Sequence, residues 1–359
     1  ETVGSGEPRI DFSNDAKGSL LLEPSKTNSF KQSNQFDTTW QISSGDVSVT
    51  PNQIGVGGST NAWRLTEGSY SGEHFIRQTP NIGGVVSVSV YAKAGTNDFL
   101  YIRGVGSGQN RRTWFNLSNG TVGTSQGISA EMISMGNGWY RCVMILDHQT
   151  AFEYYIAVSN ADGVSSYQGS NKYIYIQYSQ LEQGSYPTSY TPTQGSTVTR
   201  VKDLCDTQNL SHVIGQTEGV IFYDAILVHK SKDTSEDLFE LSIDDGSGLN
   251  IFFINNYNNS FVVSMASGGA DILRNNSFNP TEGARYKLGF AYKQNDFALY
   301  INGNQIATIS SGTAPLMNQI TFGNYYNNQL NLSNSVKVND FRLYNTRLSN
   351  AELAILTTI

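Results

Sequence analysis

The stretch GGVVSVSVYAKAG, Gly83–Gly95, decides the fold class. Val86, Val88, Val90 and Ala92 fall on one face, with Ser87, Ser89 and Tyr91 on the other. That is the period-two alternation of a half-buried antiparallel strand, not the three-and-four spacing of a helix. Composition agrees: Gly numbers 35, Tyr 20 and Phe 17, and charged residues make up only 15% of the chain. Such a mixture suits short strands joined by tight turns and starves helices of Ala, Leu, Glu and Lys.

Outward from this strand the pattern repeats. FLYIRGVG (99–106), TWFNLSNGTVGT (113–124), FEYYIAVSN (152–160) and NKYIYIQYSQLE (171–182) read as strands, and Asn119-Gly120 as a hairpin turn. GWYRCVMILD (138–147) is apolar on both faces, which places it centrally between two sheets, with Cys142 as a small buried residue. The second half has the same style without repeating the sequence. GVIFYDAILVH (219–229), DLFELSIDD (237–245), LNIFFIN (249–255), SFVVSMA (260–266), RYKLGFAYK (285–293), FALYINGNQIATI (297–309) and QITFGN (319–324) are its strands. Asn302-Gly303 calls for a type I′ turn. Ser349 with Glu352 makes a capping box for one short C-terminal helix. The fold class is therefore all-β: two tandem antiparallel β-sandwich (jelly-roll) domains.

At 359 residues the chain can bury two cores. Its 23 basic residues are scattered among 30 acidic ones, for a net charge of −7, which argues against a nucleic-acid partner. No apolar run is long enough to insert in a membrane as a helix. The chain starts at Glu1 without a secretory signal, and reads as processed, trimmed or a fragment.

Three segments resemble bacteriophage virion proteins of the tail-fibre and head-fibre kind: PRIDFSNDAKGSLLLEPSKTN (8–28), GNGWYRC (136–142) and YIYIQYSQLEQGSYPTSYTPTQGSTVTR (173–200). That resemblance implies a jelly roll similar to carbohydrate-binding modules. Residues 218–359 resemble the concanavalin A/laminin G-like superfamily through YKLGFAYKQNDFALYINGNQIATI and VNDFRLYNTRLSNAEL. Together these divide the chain into an N-terminal linker (1–8), a jelly roll (9–195), a linker (196–217) and a laminin G-like sandwich (218–359). In such jelly rolls YIYIQYSQLEQG would lie beside GSLLLEP, and SYPTSYTP would clamp against the module with Tyr186 and Tyr190 packed on its surface. A cut near residue 205 should then leave two folded halves.

Catalytic constellations fail one by one. Glu240, Ser242 and Asp244 alternate on one strand, yet lack the Glu-x-Asp-x-x-Glu pattern of laminarinase-type enzymes, and read as a solvated outer face. Lys287 and Gly289 imitate an alginate-lyase strand, but Thr321 follows Gln319-Ile320 where those enzymes carry histidine. His74, His148, His212 and His229 have no ligand spacing for a transition metal. The resembled folds often hold a structural calcium, and Glu23 with Glu182 in the first domain, or Asp244 and Asp245 or Asp271 in the second, could supply its oxygens.

What remains is binding. Sugars are held by aromatic faces flanked by amides and guanidinium groups. In the first domain Trp114, beside Arg111 and Arg112, is the candidate platform, with Trp40, Trp63 and Trp139 assigned to packing. In the second, Tyr257 and the loop carrying Asn324, Tyr325, Tyr326 and Asn328 are the candidates. The resemblance implies a non-catalytic fibre or spike component on the virion surface that attaches to host glycans. Other virion proteins and copies of itself, a trimer above all, would be its partners. The alternatives are a structural fibre or capsid-decorating protein without a ligand, a bacterial surface polysaccharide-binding protein, or a lyase or glycosidase relative.

Overall fold

The computed structural model describes residues 7–13, 15–42, 47–106, 108–148, 153–230, 238–257, 260–323 and 334–359. It separates into two compact units, and their boundaries differ from those expected. Lys26–Arg200 form one unit, while Glu1–Ser25 and Val201–Ile359 form the other. The first is thus an insertion in the second. We call them the inserted and the terminal unit.

The inserted unit is a sandwich of two six-stranded antiparallel sheets. One runs Thr121–Ser125, Gln109–Asn116, Phe99–Gly106, Glu153–Ser159, His74–Gln78, Gln41–Ile42; the other runs Ser129–Gly136, Trp139–His148, Gly84–Ala94, Tyr173–Gln183, Ala62–Glu67, Val47–Gln53. Val86, Val88, Val90 and Ala92 point into the core between them, as their alternation requires, and meet Leu100, Ile102, Ile156 and Ile174 there. Trp139–His148 is second from its sheet's edge, and Cys142, Met144 and Leu146 project from it into the core.

The terminal unit packs a seven-stranded sheet on a six-stranded one. The first has the order Ile10–Asp11, Ser19–Leu22, Ser335–Tyr344, Glu218–His229, Arg285–Lys293, Phe297–Ile301, Asn304–Ile309. The second has the order Cys205–Thr207, Gln319–Phe322, Leu238–Asp244, Ile251–Tyr257, Ser260–Ser267, Ala270–Asn275. Asn302 and Gly303 both adopt positive φ (52° and 80°), the left-handed pair a type I′ turn demands. Helix Asn350–Thr357 starts with the Ser349/Glu352 capping box and lies on Gly289, where an added Cβ would come within 2.9 Å of Thr357 Cγ2. No described helix is long and apolar enough to cross a membrane.

Two expectations about the joint are corrected. Ser19–Leu22 pairs not with Tyr173–Gln183 but with Ser335–Tyr344, and Leu22 is buried in the terminal core. Arg9 secures this arrangement by bridging Glu23 (2.7 Å) and Asp203 (2.6 Å). The residues read as linker 196–217 also carry ladders: Val198–Arg200 pairs with Lys26–Asn28, and Cys205–Thr207 with Gln319–Phe322. A four-residue strand with three leucines fits any sheet edge that offers an apolar face, so its partner is set by tertiary packing, not by its own pattern.

Candidate functional site

The platform expected around Trp114 does not exist as a surface. Trp114 is 4% exposed, its indole donates to the Val164 carbonyl (2.9 Å), and its ring lies 5.4 Å from that of Tyr101. Arg112 is paired with Glu73 (2.8 Å), and Arg111 donates to the Gln126 carbonyl (3.1 Å). An indole committed to packing on both faces has none left for a sugar. Asn324, Tyr325, Tyr326 and Asn328 lie outside the described residues, and only the backbone of Tyr257 is described.

Of the carboxylates considered for calcium, Glu23, Glu182, Asp244 and Asp245 are held by protein donors. Glu23 belongs to the terminal unit and takes Arg9; Glu182 belongs to the inserted unit and takes the Thr188 N–H (2.8 Å) and hydroxyl (2.5 Å). Asp244 accepts from Gly246 N–H and from the amide of Gln319. Asp245 accepts from Ser247 and Asn250; burial pushes its carboxyl up, but those hydrogen bonds outweigh it and leave the pKa below the ordinary value. Among the described residues no three His, Cys, Asp or Glu side chains gather as a metal site. The solvated face expected for Glu240, Ser242 and Asp244 is also corrected, because all three are buried. A bulge between Phe239 and Leu241 turns Glu240 inward, where Tyr286 and Tyr223 donate to it. The lyase-like segments are split as well: Lys287 and Gly289 lie in the seven-stranded sheet, Gln319 and Thr321 in the six-stranded one.

The surface with the attributes of a binding site is one the sequence reading passed over. In YIYIQY, Ile174 and Ile176 enter the inserted unit's core, so Tyr173, Tyr175 and Gln177 face outward. The register sets Tyr175 between Arg64 and Lys93, and Tyr173 beside Thr66. Trp139 is registered with Lys93 and joins Tyr91, Tyr175 and Tyr178 in an outward-facing aromatic cluster. The Tyr173 and Tyr175 rings are 5.4 Å apart and nearly perpendicular, and the Arg64 guanidinium lies 5.2 Å from the Tyr173 centroid. Gly95 permits this packing, since a Cβ there would sit 2.5 Å from the Tyr173 ring. Hydrogen bonding with Tyr173, then burial, holds the Tyr175 phenol above its ordinary pKa.

Segment 184–193 covers the other half of the same sheet face. Arg141 donates to the Thr188 carbonyl (2.7 Å), Gln180 accepts from Thr191 N–H (2.6 Å), and Tyr190 stacks on Tyr178 at 4.4 Å. Tyr186 is buried with it. This clamp leaves Tyr173, Tyr175, Arg64, Thr66 and Lys93 half-buried, not covered. Arg64 Nε and Thr66 Oγ1 are buried atoms without a hydrogen-bond partner among the described residues. Chemically the face offers ring surfaces for C–H stacking and two cations, Arg64 and Lys93. The signal was available: alternate tyrosines in a strand whose other face is pure isoleucine.

By its own sheets the chain is an all-β protein of two antiparallel sandwiches. Solved structures similar to it are also β-sandwich domains. The CBM40 of Ruminococcus gnavus IT-sialidase, bound to α2,3-sialyllactose, is 16% identical, with a TM-score of 0.34 over 42% of this chain and 91% of that one. The heptameric SAP-like pentraxin of Limulus polyphemus is 10% identical (TM-score 0.30, 39% and 69%). The binding domain of botulinum neurotoxin serotype G is 10% identical (TM-score 0.35, 43% and 39%). No family model matches the chain, and no curated protein does.

Proposed function

We propose that the protein is a non-catalytic glycan-binding protein whose contact surface is the outward face of the Tyr173–Gln183 sheet. The observation that carries this reading is the half-buried Tyr173–Tyr175 pair, flanked by Arg64 and Lys93. A pyranose stacked on these rings would bring its hydroxyls towards the charged ends of Arg64 and Lys93, which flank Tyr175. A glycan array on the parent and on Tyr175→Ala tests it. Binding of a saccharide set by the parent, weakened about threefold to tenfold in the variant, is the expected outcome, a stacked aromatic being worth on the order of 0.5–1.5 kcal/mol. Absence of binding to every saccharide would overturn the reading.

The finer proposal, carried by the resemblance of segments 8–28, 136–142 and 173–200 to phage fibre proteins, is display on a bacteriophage virion for attachment to host-surface glycans. A trimer is the assembly expected of a fibre. Mass spectrometry of purified virions and light scattering of the isolated chain test these points, and a monomer at micromolar concentration would contradict the assembly.

A further inference from the structure

A cleft opens in the inserted unit on the opposite sheet from the tyrosine face. Gln41–Ile42 and His74–Gln78 end there around a cleft of about 170 Å³ lined by Ser29, Lys31, Thr39, Gln41, Gln78 and Thr79, with Pro80 as its apolar wall. Its volume is that of about six waters, well below the roughly 300 Å³ at which drug-sized pockets begin. It has room for one sugar ring.

The floor is fixed in advance. Gln78 is spent on backbone, accepting from Lys31 N–H (3.0 Å) and donating to the Gln32 carbonyl (3.2 Å). The rim carries a strained residue: Thr39 has φ +62°, and Trp40 N–H donates across it to the Thr38 carbonyl at 2.6 Å. That is the rare positive-φ γ-turn, costly for a β-branched side chain. The cost is met by Trp40, whose indole donates to the Gln32 carbonyl (2.8 Å) and whose ring lies between Phe30 (5.0 Å) and Phe36 (5.4 Å). Strain of this kind clusters at ligand clamps.

Charge then selects the ligand. No carboxylate lines the cleft, and the Lys31 ammonium has no ion-pair or hydrogen-bond partner among the described residues. The neighbouring Arg77 is already neutralised by Glu153 (2.9 Å), and its Nε donates to Gln41 Oε1 (3.0 Å), which leaves the Gln41 NH₂ to donate elsewhere. One uncompensated cation among hydroxyls and amides fits a ligand with one negative charge and many hydroxyls. We propose that this cleft is a subsite for a single uronic-acid residue, its carboxylate on Lys31 and its hydroxyls on Gln41, Ser29 and Thr39. The proposal does not depend on the tyrosine face.

The test is NMR titration of the full chain with methyl β-D-glucuronide and methyl β-D-glucoside, which differ only in the carboxylate. The glucuronide is expected to bind about fivefold tighter, with shifts at Lys31, Gln41 and Thr79, and to lose that preference in roughly 0.5 M salt. Lys31→Gln should abolish the preference. Thr39→Gly, which relieves the turn and so should fold at least as stably, should weaken glucuronide binding about threefold or more. Equal affinity for the two glycosides, preference retained in Lys31→Gln, or unchanged binding in Thr39→Gly would each overturn the proposal. Because Tyr175→Ala leaves the cleft intact, glucuronide binding by that variant separates failure here from failure at the tyrosine face.

Discussion

Glu240 makes the terminal unit sensitive to pH in a direction that can be worked out from its surroundings. Its carboxyl is completely buried between the two sheets, and burial pushes its pKa from 4.5 up to about 7, against the opposing hydrogen bonds of Tyr286, Tyr223 and Asn334. The folded state therefore holds the Glu240 proton more tightly than the unfolded chain does. The stability this contributes is fully present below about pH 4.5 and is lost as pH rises through about 7. A displacement from 4.5 to about 7, at about 1.4 kcal/mol per tenfold change in proton affinity, amounts to about 3 kcal/mol. Glu240→Gln keeps the shape and an oxygen to accept from Tyr286, but cannot ionise. It is expected to match the parent near pH 5 and to exceed it by about 2–3 kcal/mol at pH 8.5. All 4 tryptophans, Trp40, Trp63, Trp114 and Trp139, lie in the inserted unit, so indole fluorescence during urea unfolding reports that unit. Hydrogen exchange at Glu218–His229 and Arg285–Lys293 reports the terminal unit. A difference between parent and variant that is the same at both pH values would refute the reasoning, as would a response seen only in the fluorescence.

Further outcomes follow from the same contacts. Arg141→Met should free segment 184–193 and destabilise the inserted unit by about 2–4 kcal/mol, since buried Glu182 loses the nearby positive charge, as urea unfolding by fluorescence would register. Trp114→Ala should cost about 3–5 kcal/mol through the lost core contacts while leaving glycan affinity unchanged at temperatures where it is folded; loss of binding without loss of stability would put Trp114 back at a site. Excised Lys26–Arg200 should fold alone, as calorimetry would show. A fragment cut at residue 205 should melt well below the intact terminal unit, because it lacks Leu22 and the Ser19–Leu22 strand.

The elements governed by local chemistry were legible in the sequence. Val86–Ala92 alternates because one face enters the apolar core, although Ser87, Ser89 and Tyr91 on the other face are buried as well; Asn302-Gly303 turns because both residues accept positive φ, and Ser349 caps its helix with Glu352. What escaped depends on distance or on a single irregularity. Ser19–Leu22 pairs with a strand more than 300 residues away, and nothing in one serine and three leucines encodes that choice. One bulge reverses Glu240, turning an apparently outward carboxylate into a core residue. The site was missed for a different reason. Trp114 drew attention as a large aromatic near arginines, yet size also favours burial, whereas Tyr173 and Tyr175 are set outward by Ile174 and Ile176, which alternate with them.

The claim that the tyrosine face binds glycans is tested most directly by NMR titration of the inserted unit with the best saccharide from the array. The account expects the largest shifts at Tyr173, Tyr175, Arg64, Thr66 and Lys93, and their disappearance in a Tyr173→Ala/Tyr175→Ala variant that melts like the parent. Saturable binding that leaves those residues unmoved, or that survives in the double variant, would contradict it.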